Sequence, residues 1–467
     1  MALFWSWVLR RRWIFVSFAA GAVLLSLPTP PGLSIMGMRT LSLVVSAFIL
    51  FLTEAVPLPA VALLIAIFEV LLGIAEPGAV AQSFMSDSVF FIMGSLMLAA
   101  ALVKQNLDKR IALAILRFTG PRVENIVIGM VGISALIASI IGEHTVAAMM
   151  LPVGVTLISF SDNDRRKVKN LGILIMLSIA YGAMIAGIGT PSGGARNAIM
   201  LAYWKQLFGI HVSYFRWMEY AYPMVIIQVP LVASLLYRTF RPEIVDLSPA
   251  VAVLREKVRE QGRMSKKEWG SIGIFFLTVV MWMTISDWIG LGITSLIGIS
   301  LFIIAGITRW EEINNGVNWG VILIYGGTIS MGIAMKNTGA AHWLAESLLQ
   351  FLQPLGINGG LLLLLAISLI TTAITSVITT GATVGILGPI VLDMAKLSGT
   401  SIVTVGMVTA ISSAFSYMTV FSSPAGNIIY GSGFIKQVDF LKAGWKMVMI
   451  SVAVVLILAS TYWKLLG

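Results

Sequence analysis

The chain has 467 residues and a mass of 50.3 kDa, of which 58% are hydrophobic and 11% charged, with a mean hydropathy of +0.94. A soluble domain carries roughly a quarter of its residues as Asp, Glu, Lys or Arg, so a polytopic membrane protein is expected, with most of its surface facing lipid. The lack of cysteine and the mere three histidines exclude a disulfide scaffold and a structural zinc cluster, and the net charge of +10 sits in short stretches between apolar runs, which speaks of membrane orientation and not of nucleic acid.

A helix needs about 20 apolar residues to cross hydrocarbon. Runs at 13–30, 39–55, 57–75, 88–103, 170–188, 217–237, 270–286, 289–307, 319–336, 401–420 and 443–463 predict eleven crossings in an all-α fold. The first follows Arg10 to Arg12 without an A-x-A-like cleavage site and reads as a helix that starts inside. Two further runs, 123–160 and 358–396, are too long for one helix and are interrupted by Gly142-Glu143-His144-Thr145 and Thr379-Thr380-Gly381. Each is expected to be a re-entrant helical hairpin. With the N-terminus cytoplasmic, most of the 31 Lys and Arg fall inside, among them Lys104, Lys109, Arg110, Arg117, Arg122, Arg165, Arg166, Lys167, Arg238 and Arg241. That bias fits retention of positive charge on the cytoplasmic face and leaves the C-terminus outside.

The charged stretch 238–269 divides the chain, and the two halves repeat each other. Met93-Gly94-Ser95 with Lys104 matches Tyr325-Gly326-Gly327 with Lys336, each followed by an interrupted hairpin that resumes into Pro152 or Pro389. A helix broken at Thr190-Pro191 or Ser423-Pro424 comes next, with Asn197 or Asn427 downstream. An odd number of crossings separates the copies, so they are inserted upside down relative to one another, a recurrent design of secondary transporters. The expected organisation is N-terminal scaffold helices over 1–85, a first inverted repeat over 86–237 with its broken helix at 187–197, and a cytoplasmic connector over 238–269. Scaffold helices over 270–318 follow, then a second repeat over 319–467 with its broken helix at 421–427.

Broken helices survive in hydrocarbon only where protein or a wet cavity satisfies their backbone, and their N-termini offer bare N–H groups to an anion. Thr145, Thr190, Thr379, Thr380 and Ser423 would add hydroxyls there, and Asn197 and Asn427 amides. Either Gly-Thr-Pro or Ser-Ser-Pro alone is also a simple kink; their matched places in both repeats point to a site. Ionisable groups at depth are expensive. His144 is therefore a candidate protonatable anion partner, and Glu143 is either a proton site or the counter-ion of Arg196. His211 and His342 are expected in solvated external segments. Glu54 and Glu69 read as a helix end or helix contact, Asp287 and Asp393 as flanking turns, and the 13 Trp and 24 Met as anchors and packing. There is no HExxH motif, nucleophile elbow or nucleotide loop, so an enzyme is not expected, and hairpins of this kind favour alternating access over a channel. The leading expectation is a secondary transporter of small dianions.

The run Ala147-Ala148-Met149-Met150-Leu151-Pro152, the break Gly187-Ile188-Gly189-Thr190-Pro191 with Asn197-Ala198-Ile199, and Ser422-Ser423-Pro424-Ala425-Gly426-Asn427 with Gly431-Ser432-Gly433 resemble the divalent anion/sodium symporter family over nearly the whole chain, including Lys109 to Ala112. The resemblance implies a homodimer with a scaffold and a mobile transport domain, moving by an elevator mechanism and carrying dicarboxylates, citrate or sulfate in a bacterial inner membrane. Family members place Ser-Asn-Thr at each hairpin tip to hold carboxylate and sodium. Those positions here are Gly142-Glu143-His144 and Thr379-Thr380-Gly381, and neither triplet is kept. After Thr190-Pro191 stands Ser192-Gly193-Gly194-Ala195-Arg196 instead of a second Thr-Pro. The substrate set implied is Glu143, His144, Thr145, Gly189, Thr190, Pro191, Arg196, Asn197, Thr379, Thr380, Gly381, Ser423, Pro424 and Asn427. The positions for ion coupling or for a cation substitute are Gly142, Glu143, His144, Gly189, Arg196, Thr375, Thr379 and Ser422. Histidine or arginine beside a sodium shell opposes sodium, so the chain is similar in logic to the family's sodium-independent exchangers: no cofactor, with fixed or protonatable cations replacing sodium. Sodium- or proton-coupled symport is the alternative.

Overall fold

The structure, a computed structural model, describes residues 12–105, 107, 110, 119–161, 167–260, 262–420 and 422–466. The charges expected inside at Arg10, Arg11, Lys109, Arg117, Arg165 and Arg166 lie outside the described residues. The regular elements among the described residues are all helices, and the sole bridge among those residues joins Arg122 to Asp246. In chain order the helices are α1 (Arg12–Ser26), α2 (Ile35–Thr53), α3 (Leu58–Leu71), α4 (Pro77–Phe84), α5 (Asp87–Lys104), α6 (Val123–Ile141), α7 (Glu143–Ser159) and α8 (Lys169–Ala186). Next come α9 (Ala195–Phe208), α10 (Tyr214–Thr239), α11 (Ser248–Glu260), α12 (Lys266–Thr284), α13 (Ser286–Ile289), α14 (Leu291–Ile304), α15 (Trp310–Gly316) and α16 (Trp319–Asn337). The chain closes with α17 (Ala340–Leu352), α18 (Gly360–Thr375), α19 (Thr380–Ser398), α20 (Ile402–Ser412), α21 (Pro424–Tyr430), α22 (Gln437–Ser460) and α23 (Tyr462–Leu466).

Among the described residues eight helical stretches are long and apolar enough to cross a membrane, nine if Ala340–Leu355 and Gly360–Thr375, bent by 115°, form one span. The runs read as crossings at 13–30, 57–75, 289–307 and 401–420 form the shorter helices α1, α3, α14 and α20. Their limits have local causes. The helix α1 stops before Pro28, and α3 is opened by Pro57 and closed by Gly73 at φ 66°. Likewise α14 lies between Gly290 at φ 91° and Gly306 at φ 63°. The chain leaves α20 at Ser412 and is irregular over 413–420, so the expected break at 421–427 begins earlier, and Asn427 lies within α21.

Both interrupted runs do divide. The first turns over at one residue, Gly142, whose φ of 88° and ψ of 151° suit glycine; Glu143, His144 and Thr145 form the first turn of α7. The second divides at 376–379, so Thr380 and Gly381, expected in the interruption, open α19 instead. The cause is Thr379, held extended at φ −66° and ψ 150° as the N-cap, while the N–H groups of Ser376 and Ile378 still bond back to Thr372 and Ile374.

The chain forms two compact units, each drawing on both halves of the sequence. The first holds the described residues up to Val89 with Ile199–Val212 and Asn318–Ser413. In it α16 packs on α3, α4 and α19, and α20 packs on α18 and α19. The Tyr203 hydroxyl donates to the carbonyls of Thr328 and Gly385 at 2.9 and 2.8 Å. Glu69, fully buried, accepts from Ser330 at 2.5 Å, and Lys336 pairs with buried Asp393. The first is a helix contact of the kind expected for Glu69, whereas Asp393 lies within α19 and does not flank a turn. The helices α1 and α2 are laced by small residues: Ser17 Oγ donates to Ser46 O at 2.9 Å, Ser46 Oγ to Ser17 O at 3.1 Å and Ser42 Oγ to Gly21 O at 2.7 Å.

The second unit comprises Phe90–Ala198, Ser213–Val317 and the described residues from Ala414 onward. Its axis is α8, buried at every position from Leu171 to Ala186 and surrounded by α6, α7, α10 and α21. Tyr181 donates to Tyr417 O at 2.9 Å, pinning the irregular segment after α20, and Gly444 of α22 lies against the same carbonyl. A Cβ at Gly444 would stand 2.4 Å from Tyr417 O and 2.6 Å from Tyr417 C, atoms that cannot move alone. Gly444→Ala, favoured by helix propensity, is therefore expected to lower stability by about 1–3 kcal/mol through overpacking. Thermal melting of the detergent-solubilised protein checks this, and a raised midpoint would contradict the contact.

Candidate functional site

In the second unit the break after α8 is folded under the tip of the α6/α7 hairpin. Residues 187–190 are unwound, a 3₁₀ turn follows at Pro191–Gly193, and α9 starts at Ala195. An unwound backbone at membrane depth must find partners, and here side chains provide them. Asn197 Nδ2 donates to the carbonyls of Gly187 and Thr190, both at 2.7 Å. Trp217 Nε1 donates to Ile188 O at 2.9 Å, and Ser139 Oγ lies 3.2 Å from Ala186 O. Thr190 Oγ1 donates to Ser139 O and accepts from Gly193 N at 3.1 Å, closing the turn onto the last turn of α6. Gly193 must be small here, since its Cβ would stand 3.0 Å from Gly187 O and 3.1 Å from Ser139 O.

Arg196 is 1% exposed and its Nη1 lies 3.5 Å from Glu143 Oε1, itself on a buried residue. Glu143 thus stands beside Arg196, the neighbour that the counter-ion role requires. The pair leaves much of the guanidinium unused: Nε and Nη2 have no hydrogen-bond partner among the described residues, nor does Asn197 Oδ1. A buried guanidinium has five N–H donors in a rigid fork suited to carboxylate or sulfate oxygens. Gly187 is held close, since a Cβ there would lie 2.7 Å from Arg196 Nη2. His144 and Thr145 are half-buried on the first turn of α7, whose N–H groups receive no side-chain cap from Gly142. Gly189 and Pro191 are buried in the turn.

The helix α21 packs on α7 and α8 in the same unit. Ser423 at its start is buried and its hydroxyl has no partner among the described residues, while Ser422 Oγ lies 2.5 Å from Thr419 Oγ1. Pro424 and Asn427 are exposed. Thr375, Thr379, Thr380 and Gly381 belong to the first unit. There Thr375 Oγ1 donates to Ser413 O at 2.7 Å, Thr380 is buried, Thr379 is half-buried, and Gly381 abuts Tyr325. Thr371 and Thr372, both about one turn before the break, carry buried hydroxyls with no partner among the described residues. The braces missed in the sequence are Ser139, Ser192, Tyr214 and Trp217. Ser192 Oγ lies 2.9 Å from Tyr214 OH and 3.1 Å from Thr190 Oγ1. Ser139 stands four residues before Glu143, in the last turn of α6. No group of three or more His, Cys, Asp or Glu suited to a metal occurs among the described residues.

Broken helices round a buried, partly unengaged guanidinium are a feature shared with secondary transporters, and the comparisons place the chain with transporters, not enzymes. Over residues 10–467 the chain matches the sodium:sulfate symporter transmembrane region, and it belongs to that family, the divalent anion/sodium symporters. An uncharacterized transporter of Haemophilus influenzae is 27% identical over 440 residues, covering 91% of each chain. The sodium-dependent dicarboxylate transporter SdcS of Staphylococcus saprophyticus is 24% identical over 455 residues, 92% of this chain and 86% of that protein. In fold the chain is similar to MtrF of Neisseria gonorrhoeae, with a TM-score of 0.56, 12% identity, and coverage of 97% of this chain and 94% of that one.

Proposed function

We propose that the chain is a secondary active transporter of small divalent anions, dicarboxylates such as succinate, malate or 2-oxoglutarate, which works by anion exchange through an elevator movement. The observation that carries this reading is the buried guanidinium of Arg196 with Nε and Nη2 unengaged at a broken helix. It is a fixed positive charge where a doubly negative solute needs one. The dicarboxylate in the name of the staphylococcal relative supports the substrate class. Eleven crossings and two re-entrant hairpins in inverted repeats over 86–237 and 319–467, a homodimer, a bacterial inner membrane, a cytoplasmic N-terminus and an external C-terminus complete the proposal.

Sodium does not suit the second unit's break. Its carbonyls at 186, 187, 188 and 190 already accept from Ser139, Asn197 and Trp217, and a guanidinium stands beside them, repelling a cation. Coupling to sodium or protons remains the second reading, favoured by the sodium dependence of the relative and by the Glu143 carboxylate. Counterflow in proteoliposomes distinguishes them. Labelled succinate is expected to enter against internal dicarboxylate with sodium absent on both sides, and a strict sodium requirement would overturn exchange.

A further inference from the structure

The second unit carries a cleft of about 530 Å³ between the start of α6 and the end of α10, two of the helices long and apolar enough to span a membrane. Arg238, Arg241 and Tyr237 line it from the end of α10 and Glu124 from the first turn of α6. Deeper in, Ile128 and Ala233 form an apolar wall. At 1.5 Å per residue that wall lies about 6–8 Å further along each helix. The cleft therefore grades from charged to apolar over one helical turn or so, as the bilayer does between head groups and acyl chains.

The two arginines are free to hold a ligand because nearby acids are committed elsewhere. Glu243 accepts from the N–H groups of Asn170 and Leu171 at 2.8 and 3.1 Å, capping α8. Asp246 accepts from the N–H and hydroxyl of Ser248 at 2.7 and 2.6 Å. The Ser248 hydroxyl, with its N–H, holds the Asp246 carboxyl below its usual range, so it stays an anion tied to its own turn. Neither Arg238 nor Arg241 is ion-paired with a described residue. Among the described residues that line the cleft Glu124 is the one carboxylate, favoured there by the N-terminal end of α6, and it leaves their sum positive. Of the wall residues Ile128 is 48% exposed and Ala233 is buried at its base, and Ile226, one turn before the lining Pro230 on α10, is 65% exposed, as for a lipid-facing surface.

We propose that this cleft binds the head group of an anionic phospholipid, with the phosphate on Arg238 and Arg241, the glycerol region near Tyr237 and an acyl chain along Ile128 and Ala233. Basic recesses between spanning helices at the head-group level are suited to such lipids. The site is separate in chemistry from the Arg196 site, since it joins a phosphate locus to an apolar wall.

The test is native mass spectrometry and thermal melting of the full-length protein in detergent with added phosphatidylglycerol, phosphatidylcholine or inorganic phosphate. Phosphatidylglycerol is expected to be retained selectively and to raise the melting midpoint. The double variant Arg238→Gln/Arg241→Gln should bind it roughly thirtyfold more weakly, from the loss of two basic contacts at the surface. Glu124→Gln should retain more of it than wild type, which gives a second readout should the double variant fold poorly. Equal retention of phosphatidylcholine, unchanged retention in the double variant, no gain in Glu124→Gln, or full stabilisation by inorganic phosphate alone would each overturn the assignment. The last would mark a site for free anions.

Discussion

Arg196→Gln is expected to abolish counterflow and to destabilise the protein, and the two effects should separate. Removing the guanidinium leaves Glu143 as a buried carboxylate without its counter-ion, which costs about 3–5 kcal/mol when one partner of a buried pair is lost. It also removes the charge proposed to hold the substrate. Truncating one partner of a buried charged contact costs roughly 2–5 kcal/mol, so affinity should fall by roughly thirtyfold to several thousandfold. The double variant Glu143→Gln/Arg196→Gln restores charge balance and should regain most of the melting midpoint while transport stays lost. Counterflow at the wild-type rate in either variant would contradict the role given to Arg196. Recovery of transport in the double variant would mean that the pair is only a structural clasp.

Asn197→Leu is the second large effect, and it acts through the backbone. The Asn197 amide bonds the carbonyls of Gly187 and Thr190, and leucine, close in volume, offers neither bond. An unsatisfied buried polar group costs about 1–3 kcal/mol. Thr190 O keeps a bond from Gly193 N at 3.2 Å, so the loss falls mainly on Gly187 and the total should be about 2–4 kcal/mol. The expected result is a lower melting midpoint together with failure of counterflow, because Gly187 also fixes the space in which Arg196 lies. A stable, active Asn197→Leu protein would show that water or another group already serves those carbonyls.

The site was legible where an apolar run is punctured by residues that hydrocarbon does not tolerate. Gly142, Glu143, Thr190-Pro191, Arg196 and Asn197 stand out for that reason, and the structure brings them together in one unit. What supports them was not legible. Ser139 and Trp217 sit in regular, apolar-flanked helices, where a hydroxyl or indole carries no local sign that it reaches a carbonyl far along the chain. The second break was misplaced by three residues, because 371–380 is rich in threonine throughout and only the extended conformation of Thr379 decides where helix gives way. The run 401–420 stays apolar through Ala414 and Phe415 while its helix ends at Ser412; composition reports the medium around a segment, not its backbone. The short helices α1, α3 and α14 were overlong in the sequence reading because their flanking Gly and Pro residues are themselves compatible with apolar runs.

The paired serines and Gly21 at the contact of α1 and α2 bear on how the chain is made. Lipid offers helices no water-driven reason to associate, so close backbone approach and hydroxyl-to-carbonyl bonds must supply one. The Ser17, Ser42 and Ser46 bonds join helices that are neighbours in sequence. The pair can thus lock once both helices are inserted, without waiting for the segments that follow, and offers them a finished surface to assemble against.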